Sequence, residues 1–524
     1  MAISNSSVFE VRSTATAANA NGGFYVPGST GTDFSQQPGA QYNLTLVTTA
    51  AADAILLTAS AADDMVGNGA HIIGTSNFIA GWYEIKSVVA GVSITLDRTC
   101  TTAAGANGTV NIGGALSLAN LDDAVFESCP AGGGNVFHVK SGIYNINGAV
   151  SMSINGAPAR PHFIKGYQDA RGDGPTGSSR PTFNMGSVNF TPGTDWQIEN
   201  MQFTGTATSV LTLSTNDKIL YSKISNTSTT VDRVALTIAT KSFVLGCEIQ
   251  SYKGQATNAN ANTYTVDSCY LHDSKSGSAH VSATNGTYTN NIYKNFTTSG
   301  ITWSGATTEP AAIARNTFHG CNRTATAILL GSGVVLPRIY DNNFSNFNIG
   351  VNHQGVENHH FDAYNNYFNN SANVVGWLIN AGSITLDPEF AVTDVTGTNG
   401  SVSSSIITSA GKDFTALGVV AGRDFINFTA GTSFILGMYG ITSVGTTTLT
   451  LDQSPGPDTA ADKLYQISVG ANFTPGTNLK AAGYPGTFPA GYSTSYLDIG
   501  AIQRIEPAAG GGGGSAAGIP TLRI

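Results

Sequence analysis

Between Phe203 and Phe368 the chain repeats one short phrase, an asparagine or small residue two places before a large apolar one. The apolar positions are Phe203, Ile224, Ile249, Leu271, Tyr293, Phe318, Phe344 and Phe368, separated by 21, 25, 22, 22, 25, 26 and 24 residues. Two places upstream stand Met201, Ser222, Cys247, Cys269, Asn291, Asn316, Asn342 and Asn366. A period in the low twenties with no helical pattern inside it predicts a solenoid. The text around the phrases is strand-like, as in Val210-Leu211-Thr212-Leu213 and Ala327-Ile328-Leu329-Leu330. Each unit reads as one coil of short strands joined by turns, stacked on the coil before it.

Coils in a parallel stack lie about 4.8 Å apart. Equivalent residues then stand above one another, and the eight apolar positions form one core stack. No coil buries that face alone, so stability is a sum over neighbour contacts. Cys247, Cys269, Asn291, Asn316, Asn342 and Asn366 form a second column, a structural ladder. Asn tolerates the left-handed backbone of a sharp corner. Its amide can also donate to the amide of the next coil, satisfying groups that are costly to bury. Cys247 and Cys269 share this column on adjacent coils. They read as two small buried thiols, with a disulfide between them as the alternative.

Charged residues make up 11% of the chain, against about 25% in average globular proteins. Gly, Ser, Thr, Asn and Ala take their place, a mixture suited to tight turns and exposed β-faces. The net charge of −9 disfavours a nucleic-acid partner. No apolar run approaches the roughly 20 residues of a membrane span. The stretch after Met1 lacks the basic-then-apolar pattern of a secretory leader. The five cysteines, Cys100, Cys129, Cys247, Cys269 and Cys321, are odd in number and widely spaced. That argues against a disulfide framework and against a zinc site.

A longer-range repeat overlies the short one. The segment from Phe78 to Asp97 matches that from Phe434 to Asp452, with Tyr83 against Tyr439 and Leu96 against Leu451. Both are alternating strands around a Gly- or Thr-rich turn, a hairpin signal. The match extends over about 42–114 and 401–470, which reads as two copies of a small β-module. Such duplicates suit caps or docking surfaces, because terminal coils expose unpaired strand edges. The expected organisation is an N-terminal arm with first strands (1–41), the first module (42–114) and a parallel β-helix (115–395). The second module (396–470), a closing β-helix segment (471–507) and a tail (508–524) follow. The tail is a Gly-rich linker by composition. It leads to Ile519-Pro520-Thr521-Leu522-Arg523-Ile524, where Ile519, Pro520, Leu522 and Ile524 suggest a docking peptide that adds to a neighbour as a strand.

Several phrases resemble right-handed parallel β-helix proteins of the pectate-lyase-like superfamily. Phe9-Glu10-Val11-Arg12-Ser13 followed by Asn19-Ala20-Asn21-Gly22-Gly23-Phe24 is similar to their entry motif. The stretch from Asn135 to Tyr144 resembles their first coil, and Leu386 to Phe390 and Tyr496 to Gln503 resemble their closing phrases. The resemblance implies an all-β, right-handed parallel β-helix, here with two duplicated small β-modules. That superfamily holds lyases, hydrolases, adhesins and phage tailspikes, so it fixes no single function. The arrangement of module, β-helix and Gly-rich tail looks most like virion proteins of tailed bacteriophages. The resemblance therefore implies a tail fibre, tailspike or capsid decoration at the virion surface. Its partners would be other virion structural proteins and further copies of the chain, with host surface polysaccharide as a contact.

Candidate chemistry is thin. Carbohydrate hydrolases need clustered carboxylates as acid and base, and the superfamily's Asn-Thr-Asp and Asp-Asp motifs on consecutive coils are missing. Asp63-Asp64 and Asp122-Asp123 precede the repeat, and no Arg-x-Pro-x-x-Arg phrase of the lyases is found. The densest polar cluster is His353, Glu357, His359, His360 and Asp362; a second is Asp267, His272, Asp273 and Lys275. The first reads as a solvated loop or inter-subunit contact before a metal or acid/base site; the second reads as surface charges around a turn before a site in which Asp267 and Asp273 face one groove. Trp303 and Trp377 could stack on sugars, though a lone Trp on a β-face more often packs on a neighbour. No catalytic residue, metal site or cofactor is expected. The favoured function is a non-enzymatic structural protein, the alternatives being a polysaccharide lyase or glycoside hydrolase, and a bacterial surface adhesin.

Overall fold

The computed structural model describes residues 8–11, 13, 41–46, 54–57, 69–73, 78–79, 81–89, 92–96, 99–101, 108–112, 133–146, 148–169, 172–229, 231–274, 279–304, 311–320, 325–331, 337–354, 361–376, 382–388, 393–421, 424–431, 437–451, 454–456, 460–469, 477–479, 482–483 and 499–501. Among these residues there is no α-helix; the only helical turns are short 3-10 segments at Gly177–Ser179 and Thr477–Leu479. Parallel strands stack into a β-solenoid of about 9 turns. This is the parallel β-helix that the resemblance implies. The chain divides into two compact units, Met1–Thr204 with Leu213–Lys223, and Gly205–Thr212 with Ile224–Ile524.

In the first unit Val8–Val11 pairs in parallel with Val136–Lys140. His162–Tyr167, Trp196–Glu199 and Lys218–Leu220 continue the stack. Alternation along each strand decides what is buried. Phe137, Ile164, Ile198 and Ile219 stand in register and are fully buried, while Val136, His138, Lys165 and Glu199 face outward and are half-buried. A second sheet pairs Ile143–Asn145 with Thr182–Gly186, packing Tyr144 edge-on to Phe183 at 5.6 Å. Because Val8–Val11 is already a rung, the antiparallel sheet that follows lies in chain order between the first rung and the second. That sheet is closed, in the order Gln41–Leu46, Ala54–Leu57, Ser93–Leu96, Gly81–Val89, Gly69–Ile73, Gly108–Ile112.

In the second unit each coil has three strips. The first runs through Ser209–Thr212, Val234–Thr237, Gln255–Asp267, Ala279–Thr289, Ser299–Trp303, Thr326–Leu330, Ile349–His353 and Ala372–Val375. The second joins Phe243–Leu245 to the far halves of the two long strands, then to Ala311–Ala314, Pro337–Tyr340 and Phe361–Ala363. The third runs Glu248–Ser251, Tyr270–Ser274, Ile292–Phe296, Thr317–His319, Asn343–Ser345 and Asn366–Phe368. Segment 382–388 extends this third strip: Ile384 bridges Asn366 in parallel, and Leu386 N–H donates to Asn366 Oδ1 at 3.0 Å. A second closed antiparallel sheet then intervenes, in the order Thr393–Ser403, Ile406–Ser409, Thr448–Leu451, Gly437–Val444, Phe425–Ala430, Lys463–Val469. Numbered along the chain, both closed sheets have the order 1-2-5-4-3-6. The second encloses its own apolar core, including Val402, Ile407, Phe414, Ile426, Leu449 and Ile467. After it the chain returns to the coils: Gly500 N–H donates to Asp341 O at 2.8 Å and Ala501 N–H to Thr317 Oγ1 at 3.0 Å.

Candidate functional site

The corner before the third strip is turned by one left-handed residue per coil. These are Asn200, Tyr221, Gly246, Ser268, Asn290, Arg315, Asp341 and Tyr364, with φ from 50° to 61°. After six of these corners, at Ser222, Cys269, Asn291, Asn316, Asn342 and Asn365, the next side chain accepts from a backbone N–H of the neighbouring coil. In the first unit Met201 N–H donates to Ser222 Oγ at 3.1 Å. In the second, Cys247 N–H donates to Cys269 Sγ at 3.4 Å and Cys269 N–H to Asn291 Oδ1 at 2.8 Å. Asn291 N–H donates to Asn316 Oδ1 and Asn316 N–H to Asn342 Oδ1, both at 2.9 Å. Asn342 N–H then donates to Asn365 Oδ1 at 2.8 Å. Two sequence expectations are corrected here. The left-handed residue is the one before each ladder residue, so the amides serve as hydrogen-bonding groups and not as corner residues. The last rung is Asn365 and not Asn366, which stands in register with Asn343 and donates to its Oδ1 at 2.7 Å.

The core stack shifts in the same way. Ile249, Leu271, Tyr293, Phe318 and Phe344 are in register and fully buried, but the next member is Tyr367. Phe368 pairs with Ser345 and is half-buried. Tyr293, Phe318, Phe344 and Tyr367 stack face to face at 4.4, 5.1 and 5.1 Å. Ile224, in the same unit, is fully buried; in the other unit Phe203 packs on Phe183 at 5.5 Å. Cys247 and Cys269 are free thiols. Burial pushes the Cys269 thiol well above its ordinary value, with Cys247 adding to the shift.

Of the two polar clusters, His353, Asp362, His272 and Asp273 are buried and Asp267 is half-buried. Asp362 is in register with Ile339 and points into the core. Its carboxylate accepts from Asn365 Nδ2 at 2.6 Å and from the Tyr367 hydroxyl at 3.1 Å. His353 is buried on the first strip, opposite Leu330. Glu357, His359 and His360 lie outside the described residues, as do Lys275, Trp377, Cys129, Cys321 and the docking peptide. In the other cluster Asp267 accepts from Asn290 Nδ2 at 2.7 Å and Thr289 Oγ1 at 3.0 Å. His272 contacts Asp273 through Nδ1 and Glu248 Oε1 through Nε2 at 3.3 Å, and stacks on Tyr270 at 4.2 Å. Asp273 also accepts from Asn295 Nδ2 at 3.0 Å. Burial opposes charge on His272, but Asp273 and Glu248 outweigh it, and its pKa is pushed up to about 9. Burial likewise pushes Asp273 up, against the downward pull of His272, Asn295 and Lys294. His272 is 1% and Asp273 0% exposed, so this is an internal ion pair that a polymer in solvent does not touch.

Gln250, His272, Lys294, His319 and Ser345 form a buried polar column on the third strip. Trp303 is fully buried beside Tyr288 at 6.2 Å, a packing role. An outward-facing, half-buried polar set that sequence reasoning missed lies on the first coils. His138, Lys165 and Glu199 are in register on the outer face, with Lys165 Nζ 3.7 Å from Glu199 Oε1 and 4.6 Å from the centre of the Phe163 ring. Among the described residues no group of three or more His, Cys, Asp or Glu side chains could hold a metal ion, and no helix is long and apolar enough to cross a membrane.

No protein-family profile matches the chain, and no curated protein matches it in sequence. Among solved structures it is similar to a pectate lyase, Pel9A, at 12% identity and TM-score 0.39, covering 75% of this chain and 92% of that one. It is also similar to the tailspike gp61 of Pseudomonas phage phi297, at 9% identity and TM-score 0.22, covering 83% and 84%. A third is the Gp54 tailspike of Acinetobacter baumannii bacteriophage AP22, solved with A. baumannii capsular saccharide, at 8% identity and TM-score 0.24, covering 82% and 83%. Likenesses this distant carry no functional weight; the strand pairing itself defines the parallel β-helix.

Proposed function

We propose that the chain is a non-enzymatic structural protein at the surface of a tailed-bacteriophage virion, a tail fibre, spike or capsid decoration. It presents β-helical coils, is present in several copies, docks to other virion proteins through 508–524, and contacts host surface polysaccharide. The observation that supports the non-enzymatic part is the burial of those carboxylates and histidines of the two polar clusters that the structure describes, apart from the half-buried Asp267. His272, Asp273 and Asp362 are buried and engaged in internal hydrogen bonds. The virion setting rests on the arrangement of N-terminal module, β-helix and Gly-rich tail, which looks most like virion proteins of tailed bacteriophages. Mass spectrometry and immunogold microscopy of purified particles test it: the chain is expected in stoichiometric copies, and its absence refutes the reading. Deleting 508–524 is expected to abolish incorporation while the coils stay folded. Full incorporation of the truncated chain refutes the tether.

A second reading, polysaccharide cleavage, is favoured by one observation, the outward column His138, Lys165 and Glu199. Incubation with capsular or cell-wall polysaccharide separates the two. Release of reducing ends or unsaturated uronates that disappears in Glu199→Gln would establish the second reading and overturn the first.

A further inference from the structure

A second series of left-handed residues recurs along the sequence at Asp195, Asn216, Lys241 and Thr263, with φ of 60°, 63°, 59° and 55°. Thr263 is the only β-branched residue among the described non-glycine residues with positive φ. Such backbone is costly for a β-branched side chain, and strain of this kind concentrates at binding sites. On the next coil the corner is missing. Ala279–Thr289 runs straight through, and the register steps from Asn262 opposite Asn285 to Tyr264 opposite Gly286, so Thr263 has no opposite number.

The lost corner opens a cleft of about 200 Å³ whose lining includes Thr263, Thr265, Asn285, Gly286 and Thr287. Its floor is Tyr264, fixed by a hydroxyl–hydroxyl contact of 3.0 Å with Tyr288. A Cβ at Gly286 would lie 2.3 Å from the Tyr264 ring, so only glycine lets the strand approach that floor. The volume is below the roughly 300–1,000 Å³ of sites that enclose a drug-sized ligand, and suits one ring rather than a chain. The polar lining consists of hydroxyls and an amide, which both donate and accept, as sugar hydroxyls do. A charged ligand would lose hydration here and meet no counter-charge among the described lining residues.

We propose that this cleft binds one neutral monosaccharide unit of a surface glycan, which rests on the polysaccharide contact proposed above. The test is saturation-transfer NMR on the full chain with methyl glycosides of glucose, galactose and mannose, and with methyl galacturonoside. At least one neutral glycoside is expected to bind and the uronoside not. Replacing both Thr265→Val and Thr287→Val keeps shape but removes two hydroxyls, and is expected to weaken binding about tenfold. Asn285→Ala is a second, independent variant with the same expectation. Silence of all three neutral glycosides, equal binding of the uronoside, or unchanged affinity in the folded variants overturns the proposal. The virion reading fails separately: a chain absent from particles refutes that reading even if the cleft binds, and a chain found in particles that binds no neutral glycoside refutes the cleft alone.

Discussion

Asn316 is the rung whose removal has the most calculable effect. Its Oδ1 accepts from Asn291 N–H at 2.9 Å and from Asn291 Nδ2 at 3.1 Å. Its Nδ2 donates to Tyr288 O at 2.9 Å, Ala314 O at 3.1 Å and Asn342 Oδ1 at 3.0 Å. In Asn316→Ala, Asn342 Oδ1 keeps the backbone N–H of residue 316 and Ala314 O keeps Asn290 N–H. Asn291 N–H loses its partner and Tyr288 O loses a donor, both in the interior. At about 1–3 kcal/mol for each buried group left unpaired, the cost is roughly 2–6 kcal/mol. That is a large share of the 5–15 kcal/mol or so that holds an ordinary domain together. Asn316→Ser keeps an acceptor, as Ser222 does for Met201, so it is expected to cost about half as much. A global unfolding energy is poorly defined for stacked coils that open separately. The sharper readout is hydrogen exchange at the Asn291 amide, where about 2 kcal/mol means roughly 30-fold faster exchange. Unchanged protection of Asn291 in Asn316→Ala would refute the ladder argument, as would full protection in Asn316→Leu, which fills the space without an acceptor.

Other expectations follow from the same coils. The His272 pKa is raised above its ordinary 6.5 to about 9, so its contribution is complete below pH about 6.5 and lost as pH rises through about 9. At most roughly 3 kcal/mol is at stake, and the upward shift of Asp273 acts in the same direction. Melting temperature should therefore fall between pH 6.5 and 9, with His272→Gln flattening that limb; a flat wild-type profile would contradict the ion pair. Tyr367→Ala should cost about 3–5 kcal/mol by denaturation, the range for a large buried aromatic, and Phe368→Ala clearly less; the reverse order would return the stack to Phe368. Gly254→Ala would put a Cβ 1.7 Å from the Arg233 carbonyl oxygen. It should cost at least the ~3 kcal/mol of severe overpacking, and a melt within a degree of wild type would contradict the close approach.

The solenoid was legible because stacking repeats chemistry at fixed positions, and Phe318 and Phe344 announce their strip without further help. The frame of the last coil was not. Tyr364-Asn365-Asn366-Tyr367-Phe368 satisfies the rule of Asn two places before an aromatic in two registers. The left-handed residue selects one, yet that position carries Asn, Tyr, Gly, Ser, Arg or Asp and so leaves no compositional trace. The first coils were missed for another reason. Phe137, Ile164, Ile198 and Ile219 are core equivalents separated by 27, 34 and 21 residues, so loops of unequal length erase the period. With them went Lys165 and Glu199, whose shared register depends on that pairing. The matching texts around Tyr83 and Tyr439 pointed to two similar small sheets, and both close in the same strand order. Burial of His272 and Asp362 had no signal, since a charged residue reads as solvated until its partners from other coils are known.

The return of the chain to Thr317 and Asp341 sets a load path in the second unit. A pull transmitted through residues 500–501 enters the coils at that corner, through Gly500 N–H and Ala501 N–H. The coils that follow in sequence, through Ala372–Val375, and the second closed sheet then lie off the direct line of tension. While those two bonds hold, changes in the second closed sheet do not lengthen the segment under tension.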